Sequence, residues 1–177
     1  MPECLDTEER STQRIMPEQA LEWLLHADTT ALMERAHHLR QQRHSDHVYY
    51  VHSLNINPTN ICKNKCGLCA FWREPDAQEA YALDLSQIQQ GLTRAGQWRL
   101  KDLHVVGGLA DEQDLDYYCA FFQQAKTLLP EVIIQGLTAV EIDWLAQQMN
   151  QTVRDTLQTL QKAGLDAIPG GGAEIFA

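Results

Sequence analysis

The apolar positions change period along the chain, and each change marks an expected element. In PEQALEWLLH, residues 17 to 26, Ala20, Leu21, Trp23, Leu24 and Leu25 follow a proline suited to a first helical turn, which predicts a short, partly buried helix. A second helix is expected from Asp28, a good N-cap, with Ala31, Leu32, Ala36 and Leu39 at helical spacing. The pattern then changes at VYYVHSLNIN, residues 48 to 57, where β-branched and aromatic residues alternate as in a strand. Helical spacing returns over 84 to 96 through Leu85, Ile88, Leu92 and Ala95. LHVVGG, residues 103 to 108, is a short apolar run stopped by two glycines, the pattern of a buried parallel strand. A helix over 114 to 129, a strand at 132 to 136, helices over 140 to 149 and 152 to 163, and a last strand-like segment, DAIPGGG at 166 to 172, complete the reading.

Strands near 55, 105, 134 and 167, separated by helical pattern, predict an α/β fold with a parallel sheet. If that sheet curls into a barrel, right-handed crossovers put every helix on one side. A closed barrel needs well over about 200 residues, and the 177 residues here supply about four βα units. The expectation is a partial TIM-type (βα) barrel: 1–47 as a polar tail with two helices, and 48–177 as the N-terminal half of the barrel. Such a half is either a truncated product or a piece completed by a second polypeptide.

Composition narrows the function. Fourteen basic against 24 acidic residues give a net charge of -10, which repels nucleic-acid backbones and anionic lipid surfaces at long range. No run approaches the roughly 18 apolar residues of a membrane-spanning helix, and the N-terminus is too polar for a secretory signal. A cytoplasmic protein is expected. Five cysteines form an odd set, and three of them crowd into ICKNKCGLCAFW, residues 61 to 72. That suits reduced thiols available to a metal better than a disulfide framework.

Cys62, Cys66 and Cys69 are soft ligands, which select zinc, copper(I) or iron-sulfur species. Structural zinc sites are closed by four ligands, and no second short-spaced cysteine pair is present. Cys4 lies in the tail, and Cys119 reads as a small apolar thiol in a helix core. A histidine can supply a fourth ligand, so a non-catalytic zinc-stabilised module stays open, although His37, His38, His44 and His47 read as a solvated helix face and loop. A 4Fe-4S cluster on three cysteines leaves one iron free for a substrate or cofactor. Gly67 allows the loop backbone to approach such a cluster, and the loop follows a strand, at the end of the sheet where barrel enzymes place their chemistry.

CxxxCxxC directly after the first strand of a βα barrel resembles the radical S-adenosylmethionine superfamily. The resemblance implies a 4Fe-4S cluster on Cys62, Cys66 and Cys69, whose open iron chelates the methionine end of S-adenosylmethionine. An electron donor such as flavodoxin or ferredoxin reduces the cluster, and the cofactor is cleaved to a 5′-deoxyadenosyl radical. Gly107 and Gly108 would contact the methionine amino group, or simply turn the chain. An aromatic residue usually precedes the third cysteine, but Leu68 stands here, so adenine packing falls to Leu68, Phe71 or Trp72; the alternative for the two aromatics is ordinary core.

NINPTNICKNKCGLCAF, LHVVGGL, LTAVEID and AGLDAIPGGGAEIF resemble the aminofutalosine synthase family of menaquinone biosynthesis from about residue 48 onward. The implied reaction adds the 5′-deoxyadenosyl radical to the small-molecule substrate 3-[(1-carboxyvinyl)oxy]benzoate. Dehypoxanthine futalosine cyclase and the radical subunits of deazaflavin synthase are the related alternatives. Glu141 either binds ribose hydroxyls or a substrate polar group, or stabilises the helix it opens, and Glu174 follows the final glycines. Where the family has histidine and proline after GGL, this chain has Ala110, Asp111 and Glu112.

Overall fold

A computed structural model describes residues 14–170, which divide between Tyr50 and Val51 into two units. The expected tail and Cys4 lie largely or wholly outside the described residues, as do Gly171, Gly172 and Glu174.

The first unit is a pair of helices, α1 (Pro17–His26) and α2 (Thr29–His44). Pro17 opens α1, and the Asp28 carboxylate accepts the Ala31 N–H at 2.9 Å to start α2. The Arg35 guanidinium lies 4.9 Å from the centre of the Trp23 ring. The expected partial burial of α1 is only slight: no residue of either helix is buried, and Leu24 is 81% exposed. Two short helices have too little facing surface to bury a full apolar stripe.

In the second unit β1 (Ser53–Ile56), β2 (Asp102–Val105) and β3 (Ile133–Gly136) form a parallel sheet in the order β1-β2-β3. The expected strand over 48–57 contracts to four residues. Its partner explains this: Ser53 pairs with Asp102, the first residue of β2, so residues 48–51 have no strand beside them and stay exposed.

The connecting helices are α3 (Leu85–Ala95), α4 (Leu115–Leu128), α5 (Ala139–Gln148) and α6 (Val153–Ala163). Each begins on a short polar side chain, Asp84, Asp114, Thr138 or Thr152, that accepts a first-turn N–H. All four pack on one face of the sheet. Leu54, Ile56, Leu103, Val105 and Ile134 meet Ile88, Leu92, Phe121, Phe122, Leu145 and Leu160 there, and the Phe121 and Phe122 rings lie 5.6 Å apart. Strand alternation turns Ser53, Asn55, Asp102, His104 and Gln135 to the other face. On that face the Ser53 hydroxyl and the Gln135 amide donate to the two oxygens of Asp102, at 2.6 and 2.7 Å.

The expected fourth strand is reduced, among the described residues, to one parallel bridge between Gln135 and Ala167. Asp166 fixes it: its carboxylate accepts the Ile134 N–H at 2.7 Å and the Lys126 ammonium at 2.6 Å. Among the described residues no helix is long and apolar enough to cross a membrane.

Candidate cofactor site

The cysteine loop hangs from the C-terminal end of β1 on a dense set of backbone bonds. Thr59, 2% exposed, is their centre. Its carbonyl accepts the Gly108 N–H at 2.9 Å, and its hydroxyl donates to the Tyr81 carbonyl at 2.7 Å while accepting the Ile61 N–H at 3.0 Å. Asn60 repeats the link, donating to the Glu79 carbonyl and accepting the Tyr81 N–H, each at 2.8 Å. The polar segment 73–83 is thereby tied to the root of the cysteine loop without forming a helix or strand.

Beyond this base the loop turns outward. The Cys69 N–H donates to the Cys66 carbonyl at 3.0 Å, and Lys65 takes a positive φ of 47°. Cys62 is half-buried, whereas Cys66 and Cys69 are exposed. Lys63 anchors the near side: its N–H donates to Leu109 at 3.0 Å, and its ammonium meets Asp111 and sits 4.9 Å from the Trp144 ring centre. Asp111 occupies the segment where the resembling family has histidine and proline. The Lys63 bond holds its carboxyl below the ordinary carboxylate range.

A cleft of about 300 Å³ lies between this loop, the glycines after β2 and the start of α5. Cys62, Cys69, Phe71, Gly107, Gly108 and Glu141 line it together with Asn57, Thr59, Trp72, Tyr81 and Thr138. The fold thus brings together six of the seven sequence-predicted site residues; Cys66 stands on the same turn but not in the lining. Phe71 is 75% exposed, so ordinary core is not its environment, and Trp72 is half-buried. Leu68 points into solvent.

The glycines are explained first by backbone packing. A Cβ on Gly108 would lie 2.1 Å from the Ile61 carbonyl oxygen, and one on Gly107 3.3 Å from Pro58 and Thr59. Their absence of side chains lets the cysteine loop close onto the end of β2. Glu141, 4% exposed, joins the same wall. One carboxylate oxygen accepts the Gly107 N–H at 2.8 Å, and the other accepts the Thr138 N–H and hydroxyl, each at 2.7 Å. Burial raises the Glu141 carboxyl above its ordinary value, opposed by the donors on Thr138 and Gly107 and by the charge of His104.

The Thr138 to Glu141 capping box was readable from its spacing. Thr59, Lys63 and Asp111 were not, because their partners lie far away in sequence. Cys119 packs against the main core, and burial, followed by Asp116 and Asp114, raises its thiol.

Among the described residues no three His, Cys, Asp or Glu side chains are close enough to hold a single metal ion. The donor set nonetheless suits a larger thiol-bound group: three soft ligands on one loop with a fixed base, two of them facing a cleft with glycine backbone on its far wall.

No protein-family model matches the chain. It is 34% identical over 150 residues to aminodeoxyfutalosine synthase of Thermus thermophilus, covering 85% of this chain and 40% of that protein. To the 5-amino-6-(D-ribitylamino)uracil--L-tyrosine 4-hydroxyphenyl transferase of Methanopyrus kandleri it is 33% identical over 150 residues, covering 85% and 41%. The cyclic dehypoxanthine futalosine synthase of Halalkalibacterium halodurans is 33% identical over 131 residues, covering 72% and 34%. Among solved structures, methylornithine synthase superposes with a TM-score of 0.63 at 12% identity, over 90% of this chain and 56% of that one. The architecture is therefore that of a partial (βα) barrel. The chain's homologues are aminodeoxyfutalosine synthase and related radical S-adenosylmethionine enzymes, and it spans about two fifths of the length of the first two relatives named.

Proposed function

We propose that this chain is the cofactor-binding part of a radical S-adenosylmethionine enzyme of the futalosine type, acting in menaquinone biosynthesis. The observation that carries the reading is the shared cleft: Cys62 and Cys69 face it with Gly107 and Gly108, and Cys66 completes the loop's thiol set. Cys62, Cys66 and Cys69 would hold a 4Fe-4S cluster, with S-adenosylmethionine in the cleft against Gly107, Gly108, Glu141 and the exposed Phe71 ring. When bound, cluster and cofactor supply a 5′-deoxyadenosyl radical. The chain's own part is to fix the thiols on the Thr59 base, to hold the glycine turn through Glu141, and to offer Phe71 and Trp72 as apolar cover. The substrate of this reading is 3-[(1-carboxyvinyl)oxy]benzoate, giving aminofutalosine. A reduced flavodoxin or ferredoxin would donate the electron in the cytoplasm, and a second polypeptide would supply the strands that complete the barrel. Because identity to the tyrosine hydroxyphenyl transferase is nearly equal, that class of radical transfer is the second reading.

Anaerobic reconstitution with iron and sulfide tests the proposal. About four irons per chain are expected, with an EPR signal that changes on adding S-adenosylmethionine. Serine at Cys62, Cys66 or Cys69 should abolish both, and serine at Cys119 neither. Stoichiometric air-stable zinc in place of iron, or a cluster that survives loss of one of the three cysteines, overturns it. Product analysis with each substrate, in the presence of the proposed second polypeptide, separates the two readings.

A further inference from the structure

A parallel sheet is ordinarily apolar on both faces, and barrel interiors are filled chiefly by branched apolar side chains. Here the face turned away from the helices carries Ser53, Asn55, Asp102, His104 and Gln135, with one apolar residue, the half-exposed Ile133 of β3, beside Asp102. Asn55, His104 and Gln135 are register neighbours on adjacent strands, about 4.8 Å apart. Asn57 and Val106, which line the cysteine cleft, lie two residues further on, just past the ends of β1 and β2 and about 7 Å away. The row is thus a polar floor that runs along the sheet up to the strand ends where the cleft begins.

Hydrogen bonding on this floor is uneven. Asp102 accepts from Ser53 and Gln135, and Glu141 on the neighbouring wall from Gly107 and Thr138, so every oxygen of the two carboxylates already has a protein donor. Asn55 and His104 enter no side-chain hydrogen bond among the described residues. What the floor leaves available is therefore a pair of neighbouring N–H donors, one on a side chain able to carry positive charge. Two N–H groups side by side fit an acceptor-only group with two oxygens.

We propose that Asn55 and His104 form a subsite for the carboxylate of a small-molecule substrate, seated on the sheet face that runs up to the cysteine cleft. This rests on the futalosine-type reading, whose substrate carries carboxylates, and it assigns the residues that select them. The Gln135 amide, held by Asp102, borders the subsite. An aromatic ring attached to the carboxylate would extend upward past Asn57 and Val106 toward the thiols.

The test uses the full 177-residue chain and two probes of equal size, benzoate and benzamide, titrated by ligand-observed NMR. Benzoate should bind at least about tenfold more tightly than benzamide, the preference expected of a charge-assisted contact. His104→Phe and Asn55→Leu should each erase most of that preference, while His104→Gln, which keeps an N–H donor and guards against misfolding, should retain part of it. Circular dichroism and iron content after reconstitution are read on the same samples. Normal iron loading with benzoate and benzamide binding alike, or with a preference unmoved by the variants, refutes the subsite and leaves the cluster reading standing. Failure to load iron on the three cysteines refutes the underlying reading instead.

Discussion

The Gly107 amide donates to the Glu141 carboxylate at 2.8 Å, tying the glycine turn after β2 to the first turn of α5. Truncation by Glu141→Ala leaves this donor and two on Thr138 unpaired in a buried wall, at an expected cost of about 1 to 3 kcal/mol in urea unfolding. Glu141→Gln keeps one acceptor oxygen and should cost less. S-adenosylmethionine affinity should follow the same order, because the cleft wall moves with the turn. Equal stability of wild type and Glu141→Ala would contradict this account.

The raised Glu141 carboxyl also gives a pH dependence. The folded chain keeps this proton to higher pH than the unfolded chain, whose carboxyl titrates near 4.5. The stabilisation from this group is therefore full below that value and lost as pH rises through the folded one. Glu141→Gln removes the slope. Urea midpoints measured from about pH 4 to 7 should fall in wild type relative to Glu141→Gln as pH rises; parallel curves would show that the group does not titrate differently on folding.

Gly108→Ala and Gly107→Ala should differ sharply. A methyl on Gly108 meets the Ile61 carbonyl and must displace the cysteine loop, whereas one on Gly107 requires a shift of only tenths of an ångström. Iron uptake should fall substantially in the first and little in the second. The reverse order would mean that the loop does not close onto β2 as described.

Asp166 carries the short pairing beyond β3. Burial raises its carboxyl, but the bonds from Lys126 and the Ile134 N–H outweigh that and lower it overall. Its contribution is present above the ordinary value of 3.8 and disappears as pH falls through the lower folded value. Asp166→Ala should cost about 1 to 3 kcal/mol at neutral pH and little once the carboxyl is protonated. A variant as stable as wild type at neutral pH would show that these bonds contribute nothing.

Thiol accessibility gives a fifth check. Cys66 and Cys69 are exposed, while Cys119 is partly buried with its thiol raised by that burial. Iodoacetamide on the metal-free chain should label Cys66 and Cys69 well before Cys119, as mapped by peptide mass spectrometry. Early labelling of Cys119 would place it outside the core.

The helices α3 to α6 were legible because each combines a polar N-cap with an apolar stripe, and α1, opened by Pro17 instead, matches its expected bounds. Strand extent was less legible, because strand length is set by the partner. VYYV has strand composition, but β2 begins too late to pair with it. The thiols and glycines of the site could be read from spacing. The bonds that assemble them, from Thr59 to Tyr81 and Gly108 and from Lys63 to Asp111, join residues 22 to 49 positions apart and leave no periodic trace.

Thr59 also fixes where disorder can enter the cysteine loop. Its buried hydroxyl and carbonyl hold the loop's root before any ligand arrives, and the exposed turn from Cys66 onward is what a bound group must still immobilise. The conformational entropy lost on filling the site is thus confined to a few residues at the tip, at roughly 1 to 2 kcal/mol for each backbone fixed. A loop rooted in this way can exchange its occupant while the sheet beneath it keeps its shape.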